Sequence, residues 1–188
     1  PDGAGKGLTA QYVAAALLGI DIADAGSHQF IYSVQPEDTG TISIDAIREL
    51  QKAVKLSTTG AGTVRRVLIV EHADGMTLEA QNAFLKLLEE PPTDTVIIVT
   101  VANTQHLLPT IRSRLQVIEL IMPDKEELTN YFGNSSDAAK AYSLSGGMPG
   151  LMHALLDDTI EHPLTKAVES AKELLSSPLT DRLMLAAE

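Results

Sequence analysis

The chain opens with a short segment whose residues could bind phosphate. Residues 1–7 read PDGAGKG, so that a lysine, Lys6, lies among three glycines, Gly3, Gly5 and Gly7. Phosphate-binding loops use the backbone N–H groups of a glycine-rich turn, a lysine for the β- and γ-phosphates, and a Ser or Thr hydroxyl for Mg²⁺. Gly7 stands where that hydroxyl is needed. The segment therefore predicts phosphate binding with a weakened place for Mg²⁺.

Polar side chains come directly after two predicted buried strands. Glu71 and His72 follow the strand predicted for Arg66 to Val70, and Asn103 follows a β-branched strand predicted for Thr95 to Val101. A histidine at a strand end can act as a general base. An asparagine after a strand is also a common loop residue. The first pair is open to two interpretations, a hydrolysis site or a polar pair without chemistry.

Capped helices are predicted between these strands. The helix from Leu8 to Leu18 directs its N-terminus at any bound phosphate. Ser43 caps a second helix, and Thr77 caps a third that two prolines stop. Apolar residues recur in the second and third helices at the spacing of one buried face. They are Ile44, Ile47, Leu50 and Val54 in the second, and Ala80, Ala83, Phe84, Leu87 and Leu88 in the third.

Two further strands complete the predicted sheet. Gln29 to Val34 precedes the helix capped by Ser43, and Val117 to Ile121 follows a short helix that delivers Arg112 and Arg114. The alternation of buried strands and helices predicts an α/β fold with a parallel sheet flanked by helices. Residues 57–63, rich in threonine and glycine, are predicted to form a loop.

After Pro123 the strand signals stop, and only helices are predicted. Each begins at a capping residue or a proline. In order they run from Asp124 to Phe132, from Ser135 or Ser136 to Leu144, from Pro149 onward, from Pro163 to Leu175 and from Pro178 to Ala187.

The composition is typical of a soluble globular protein with one substantial core. The chain has 188 residues, of which 44% are hydrophobic and 21% charged. No apolar run approaches the length of a membrane span, and no secretory leader is visible. The chain has no cysteine, which excludes disulfides and thiolate zinc sites. The cytoplasm is the expected compartment.

The net charge of −11 limits what the chain can bind by itself. Contacts to DNA phosphates need clustered Lys and Arg, so the chain is not expected to bind DNA without partner subunits. Stacking on bases is also disfavoured, because only 4% of the residues are aromatic. An acidic chain of this kind can still work beside nucleic acid when partner subunits carry the positive surface.

Two segments resemble signatures of the AAA+ clamp-loader subunits of DNA polymerases. Residues 82–92, NAFLKLLEEPP, are similar to the family pattern NALLKxLEEPP. Residues 107–111, LLPTI, together with Ser113 and Arg114, are similar to the pattern LLPTIxSRC, although Leu115 replaces the cysteine. The two long motifs occur in the family's order, with one predicted strand between them.

This resemblance implies a domain organisation. Residues 1–122 would form an AAA+ P-loop domain whose first strand is expected upstream of Pro1. Residues 123–160 would form a small all-helical lid, and residues 161–188 the start of a helical C-terminal collar. Many bacterial relatives carry a four-cysteine zinc module, which this sequence lacks.

The resemblance also implies nucleotide-site roles, several of which are altered here. Active members hold Asp-Glu for Mg²⁺ and for the attacking water, whereas this chain has Glu71 and His72. Asn103 stands at the polar sensor position near the γ-phosphate, and Gly150 stands where ATP-binding members carry a second sensor, an arginine. Together with Gly7, these changes imply weakened binding of ATP and Mg²⁺ and no hydrolysis. No resident metal site is predicted.

Arg114 stands where the family carries an arginine finger. Such an arginine acts in trans, because its fixed fork of donors reaches the γ-phosphate of the neighbouring subunit and stabilises the transition state. The alternative is a solvated surface arginine, which is the interpretation we give to Arg112.

The pattern at residues 147–150, GMPG, resembles the delta-prime class of clamp-loader subunits rather than the ATPase class. The resemblance implies a subunit without ATPase activity that acts in DNA replication. Its expected partners are gamma/tau-like and delta-like subunits in a hetero-pentameric ring, the sliding clamp, and primer-template DNA reached through the assembled complex. No membrane is expected among them.

Three other functions remain open. In the first, the chain itself binds and hydrolyses ATP through Lys6, Glu71 and Asn103, as a gamma/tau-like subunit does. In the second, it is a small-molecule P-loop kinase, which Gly7 and the two long motifs disfavour. In the third, it is an architectural subunit in which Arg114 only packs. Tight, Mg²⁺-dependent binding in a titration with Mg-ATP would favour the first.

Overall fold

The computed structural model describes residues 3–55, 63–157 and 163–176. They divide into two compact units, the first formed by residues 6–119 and the second by residues 3–5 and those from 120 onward. The predicted helix from Pro178 and most of the loop predicted at residues 57–63 lie outside the described residues.

Within the described residues, a parallel sheet of three strands forms the centre of the first unit. The strands are β1 (Ile31–Val34), β2 (Arg66–Val70) and β3 (Thr95–Val99), in the spatial order β1-β2-β3. Every residue of β2, the central strand, is buried. Residues 67–70 form a continuous apolar run because their side chains are covered on both faces of the sheet, and Arg66 at the start of the strand is buried as well. β3 is only half-buried along its length.

Helices cover both faces of the sheet. Those of the first unit are α1 (Lys6–Leu18), α2 (Ile22–Ala25), α3 (Ile44–Ala53), α4 (Leu78–Glu89) and α5 (Pro109–Arg112). Successive side chains of a strand point to opposite faces. Val67 and Ile69 of β2 accordingly pack against α1, whereas Leu68 and Val70 join the larger core that α3, α4 and α5 close. The α/β class is confirmed.

The strand predicted for Val117 to Ile121 is wrong. These residues adopt no strand, and their side chains lie at the surface, with Ile118 79% and Ile121 93% exposed. A strand needs a hydrogen-bonding neighbour as well as β-branched side chains, and none of the described strands pairs with this segment.

Local capping chemistry fixes the helix ends of the first unit. Ser43 Oγ accepts a hydrogen bond from the Ala46 N–H at 3.4 Å, and Thr77 Oγ1 accepts one from the Ala80 N–H at 3.2 Å. Both satisfy N–H groups that the first turn of a helix leaves without intrahelical partners. The helix start predicted at Leu8 lies two residues late, since α1 begins at Lys6.

The described part of the second unit is all-helical. Its helices are α6 (Lys125–Phe132), α7 (Ser136–Ser145), α8 (Pro149–Leu156) and α9 (Pro163–Ser176). A capping box opens α6, with Asp124 Oδ1 accepting from the Glu127 N–H at 2.8 Å and Glu127 Oε2 accepting from the Asp124 N–H at 3.0 Å. Its small core contains Leu128, Ala141 and Met152. None of the described helices is long and apolar enough to span a bilayer.

Candidate nucleotide site and arginine finger

The glycine-rich segment forms a turn directly before α1. Gly3 and Gly5 have φ angles of +82° and +79°, in the left-handed region that glycine adopts without a steric penalty. Lys6 is the first residue of α1. A glycine turn that leads into a helix N-terminus is the backbone arrangement that binds phosphate in other proteins.

Gly7 lies directly beneath the carboxylate of Glu71. A Cβ atom at position 7 would lie 2.5 Å from Glu71 Oε2, well inside van der Waals contact. The Glu71 carboxylate, the end of a flexible side chain, therefore lies where a Ser or Thr side chain would be and would have to move to admit one. Glu71 directly follows β2, and its backbone N–H donates to the Val34 carbonyl at 2.8 Å. The structure thus brings together two of the residues singled out in the sequence, with a carboxylate in place of the Mg²⁺-binding hydroxyl.

His72 occupies an unusual backbone conformation. Its φ and ψ angles are both 48°, and among the described residues it is the one non-glycine with a positive φ. Histidine is among the residues that visit this region more readily than most. Thr100, which the sequence did not single out, holds the turn: its Oγ1 accepts from the His72 N–H at 3.0 Å and its carbonyl from the Ala73 N–H at 2.8 Å.

Asn103 uses its side-chain oxygen locally. Oδ1 accepts a hydrogen bond from the Gln105 N–H at 2.9 Å and caps a 3₁₀ turn at Thr104–His106. The Asn103 side chain is exposed. This local bond orders the loop that follows β3.

Gly150 lies close to the backbone of Gly3, and both residues belong to the second unit. Its N–H donates to the Gly3 carbonyl at 2.9 Å, and a Cβ atom at position 150 would lie 3.0 Å from the same oxygen. Gly3 also has little space for a side chain, because a Cβ atom there would lie 3.2 Å from Leu151 Cβ. An arginine at position 150 would require the backbone at Gly3 to move.

Arg114 follows α5 and makes two hydrogen bonds through its guanidinium. Nη2 donates to Glu89 Oε1 at 2.8 Å, and Nη1 donates to the Thr110 carbonyl at 2.8 Å. The Arg114 side chain is 35% exposed and that of Glu89 48% exposed. The sequence singled out Arg114 but not these two partners.

Gln81 is a further residue that the sequence did not single out. It is buried in α4, and Oε1 accepts from the Leu108 N–H at 2.8 Å while Nε2 donates to the carbonyls of His106 at 3.2 Å and Met76 at 3.3 Å. The signal was a polar residue beside the apolar positions of a buried helix face. These bonds join α4 to the segment that leads into α5.

Comparison with known proteins places the chain in a family. The family described as "DNA polymerase III, delta subunit" matches residues 6–124, well over half of the chain. The chain belongs to this family. Curated relatives named "DNA polymerase III subunit delta'" agree. That of Pseudomonas aeruginosa is 30% identical over 96% of the chain and 62% of its own length, and that of Escherichia coli is 33% identical over 73% of the chain and 42% of its own length.

The family resemblance read from the motifs is therefore confirmed as delta-prime-like. The chain spans less than two thirds of the length of these relatives. A third relative of the same name, from Bacillus subtilis, is 38% identical over 50% of the chain and 28% of its own length.

Solved structures of other proteins share the fold. A DNA polymerase III gamma-subunit-related protein of Thermotoga maritima has a TM-score of 0.58 at 24% identity, over 92% of this chain and 56% of its own. The RuvB Holliday junction branch migration motor of the same organism has a TM-score of 0.54 at 16% identity, over 81% of this chain and 49% of its own. These likenesses concern the fold alone.

Proposed function

We propose that this chain is a delta-prime-like subunit of the DNA polymerase III clamp loader that hydrolyses no ATP itself. In the proposed mechanism it lends Arg114 in trans to ATP held by a neighbouring gamma/tau-like subunit during sliding-clamp loading. A delta-like subunit, the clamp and primer-template DNA complete the proposed assembly, a hetero-pentameric ring. Residues 1–122 would be the AAA+ domain, 123–160 the lid and 161–188 the start of the collar.

The contact between Gly7 and Glu71 carries the proposal of a lost ATPase. A motor subunit needs a hydroxyl at this place to hold Mg²⁺ between the phosphates. In this chain the carboxylate of Glu71 lies 2.5 Å from where a Cβ atom at position 7 would begin. A negative group beside the N-terminus of α1 also competes with a phosphate for the same positive helix end.

Gly150 supports the same conclusion independently. A sensor arginine would begin 3.0 Å from the Gly3 carbonyl oxygen, tighter than ordinary contact. Because Gly150 has no side chain, the Gly3 carbonyl oxygen can lie close to its backbone, and the Gly150 N–H donates a hydrogen bond to that oxygen. A side chain at this position would therefore require the Gly3 carbonyl to shift by a few tenths of an ångström.

The exposure and donor geometry of Arg114 support the trans role. A guanidinium carries five N–H donors, and the two hydrogen bonds to Glu89 and Thr110 engage one on each terminal nitrogen. Donors therefore remain for phosphate oxygens. The side chain is 35% exposed, so that part of it lies at the surface.

Mg-ATP titration by calorimetry tests the loss of nucleotide binding. We expect the chain to show no saturable, Mg²⁺-dependent binding below about 1 mM, which corresponds to a binding free energy weaker than roughly −4 kcal/mol. A gamma/tau-like ATPase subunit under the same conditions is the positive control. Gly7→Ser alone should not create binding, because Glu71, His72 and Gly150 still differ from the residues that ATP-binding members carry at those positions.

The competing function, an ATP-hydrolysing subunit, rests on Lys6 at the N-terminus of α1. Micromolar Mg²⁺-dependent binding that Lys6→Ala abolishes would favour it and contradict the expected loss of nucleotide binding. Turnover of ATP by the isolated chain at the rate of the gamma/tau-like control would contradict it more strongly.

A further inference from the structure

The guanidinium of Arg114 is held from two sides. Glu89 Oε1 accepts from Nη2 and the Thr110 carbonyl accepts from Nη1, both at 2.8 Å. The same carbonyl also accepts from Ser113 Oγ at 3.0 Å. Because a carboxylate and a fixed carbonyl engage both terminal nitrogens, the plane and direction of the fork are defined before any partner arrives.

Hydrogen bonds and buried side chains join α4, which ends at Glu89, to α5, which precedes Arg114. Gln81 of α4 bonds to the Leu108 N–H and the His106 carbonyl, immediately before α5. Phe84 of α4 and Ile111 of α5 lie fully buried in the same core. Glu89 at the end of α4 and Arg114 after α5 therefore project from one packed frame, as precise positioning of a functional side chain requires.

Glu89 is poorly placed for the stability of its own helix. It is the last residue of α4, where the negative end of the helix dipole disfavours a carboxylate, and Glu90 follows directly. The pair with Arg114 is the compensating interaction in the structure. The position of Glu89 is thus explained by its contact across to α5 rather than by its helix.

We propose that Glu89 is a positioning residue for Arg114. Its carboxylate restricts a long, rotamer-rich side chain to one orientation and leaves further N–H donors of the fork for a phosphate. The inference rests on the proposed trans role of Arg114. It adds that the charge and length of the Glu89 side chain, which acts through Arg114, set the efficiency of that role.

ATP hydrolysis by the loader assembled from this subunit and its partners tests the inference, with clamp and primed DNA present. Glu89→Ala should lower kcat about threefold to tenfold at unchanged KM for ATP, because misorientation affects a contact made in the transition state. Glu89→Gln, which keeps an acceptor but loses the charge, should lose less. Glu90→Ala, which removes the adjacent exposed carboxylate, is the matched control and should turn over at the wild-type rate.

A double-mutant cycle separates positioning from a structural effect. In an Arg114→Ala background, Glu89→Ala should cause no further loss, since the group that it orients is gone. If Glu89→Ala leaves kcat unchanged while Arg114→Ala lowers it, the inference is overturned and the proposed function stands. If both single variants match the wild type, the trans role itself fails. Equal losses from Glu89→Ala with and without Arg114 would likewise overturn positioning.

Discussion

Arg114→Ala is expected to slow ATP hydrolysis by the assembled loader about a hundredfold or more, at nearly unchanged KM for ATP. The reason is that an arginine finger neutralises charge that develops on the transferring phosphoryl group and contributes little to binding the ground state. Arg114 lies at the protein surface, so that its truncation removes the proposed contact with the phosphate without creating a cavity in the core. The measurement is steady-state turnover with clamp and primed DNA.

Two companion variants make this result specific. Arg114→Lys keeps the charge but loses the planar fork, and should recover only a small part of the activity. Arg112→Ala removes an exposed arginine at the end of α5, two residues before Arg114, and should leave turnover unchanged. Wild-type turnover by Arg114→Ala would remove this residue from the mechanism and leave the architectural alternative. A loss that also appears in Arg112→Ala would indicate a general electrostatic effect instead.

Features of the fold that depend on neighbouring residues were predictable from the sequence. Ser43, Thr77 and Asp124 were each identified as caps, and each accepts the expected backbone hydrogen bond. Capping and helical periodicity are decided within one or two turns, so the chain itself carries the information. The segment Val117 to Ile121 shows the limit of this reasoning. Its β-branched composition predicted a strand, but pairing requires a partner edge that composition does not reveal.

For the candidate site, too, the sequence predicted some features and not others. The motifs identified Gly7, Glu71 and Gly150 as departures from an ATPase, because a motif fixes residue type at fixed spacing. They could not show that the Glu71 carboxylate fills the space above Gly7 or that Gly150 donates to the Gly3 carbonyl. These contacts join residues far apart in the chain, and they depend on side-chain and loop conformations that only the folded structure defines.

Gln81→Met is expected to lower the free energy of unfolding of the first unit by about 2–4 kcal/mol. Methionine has nearly the same length and volume, so the packing of α4 is kept while both hydrogen-bonding functions are lost. The Leu108 N–H and the carbonyls of Met76 and His106 would then lose the partner that Gln81 provides. Urea denaturation followed by circular dichroism measures the loss.

Gln51→Met provides a matched control, because Gln51 Nε2 makes one hydrogen bond, to the Ala83 carbonyl at 2.8 Å, in a part-buried position. Its loss should cost about 1 kcal/mol, the typical net value of a single bond. Hydrogen exchange gives a local readout, since the Leu108 amide should lose protection in Gln81→Met and keep it in Gln51→Met. If the two variants are equally stable, water replaces Gln81 at little cost, and the attachment of α5 to α4 depends on the packing of Phe84 and Ile111 instead.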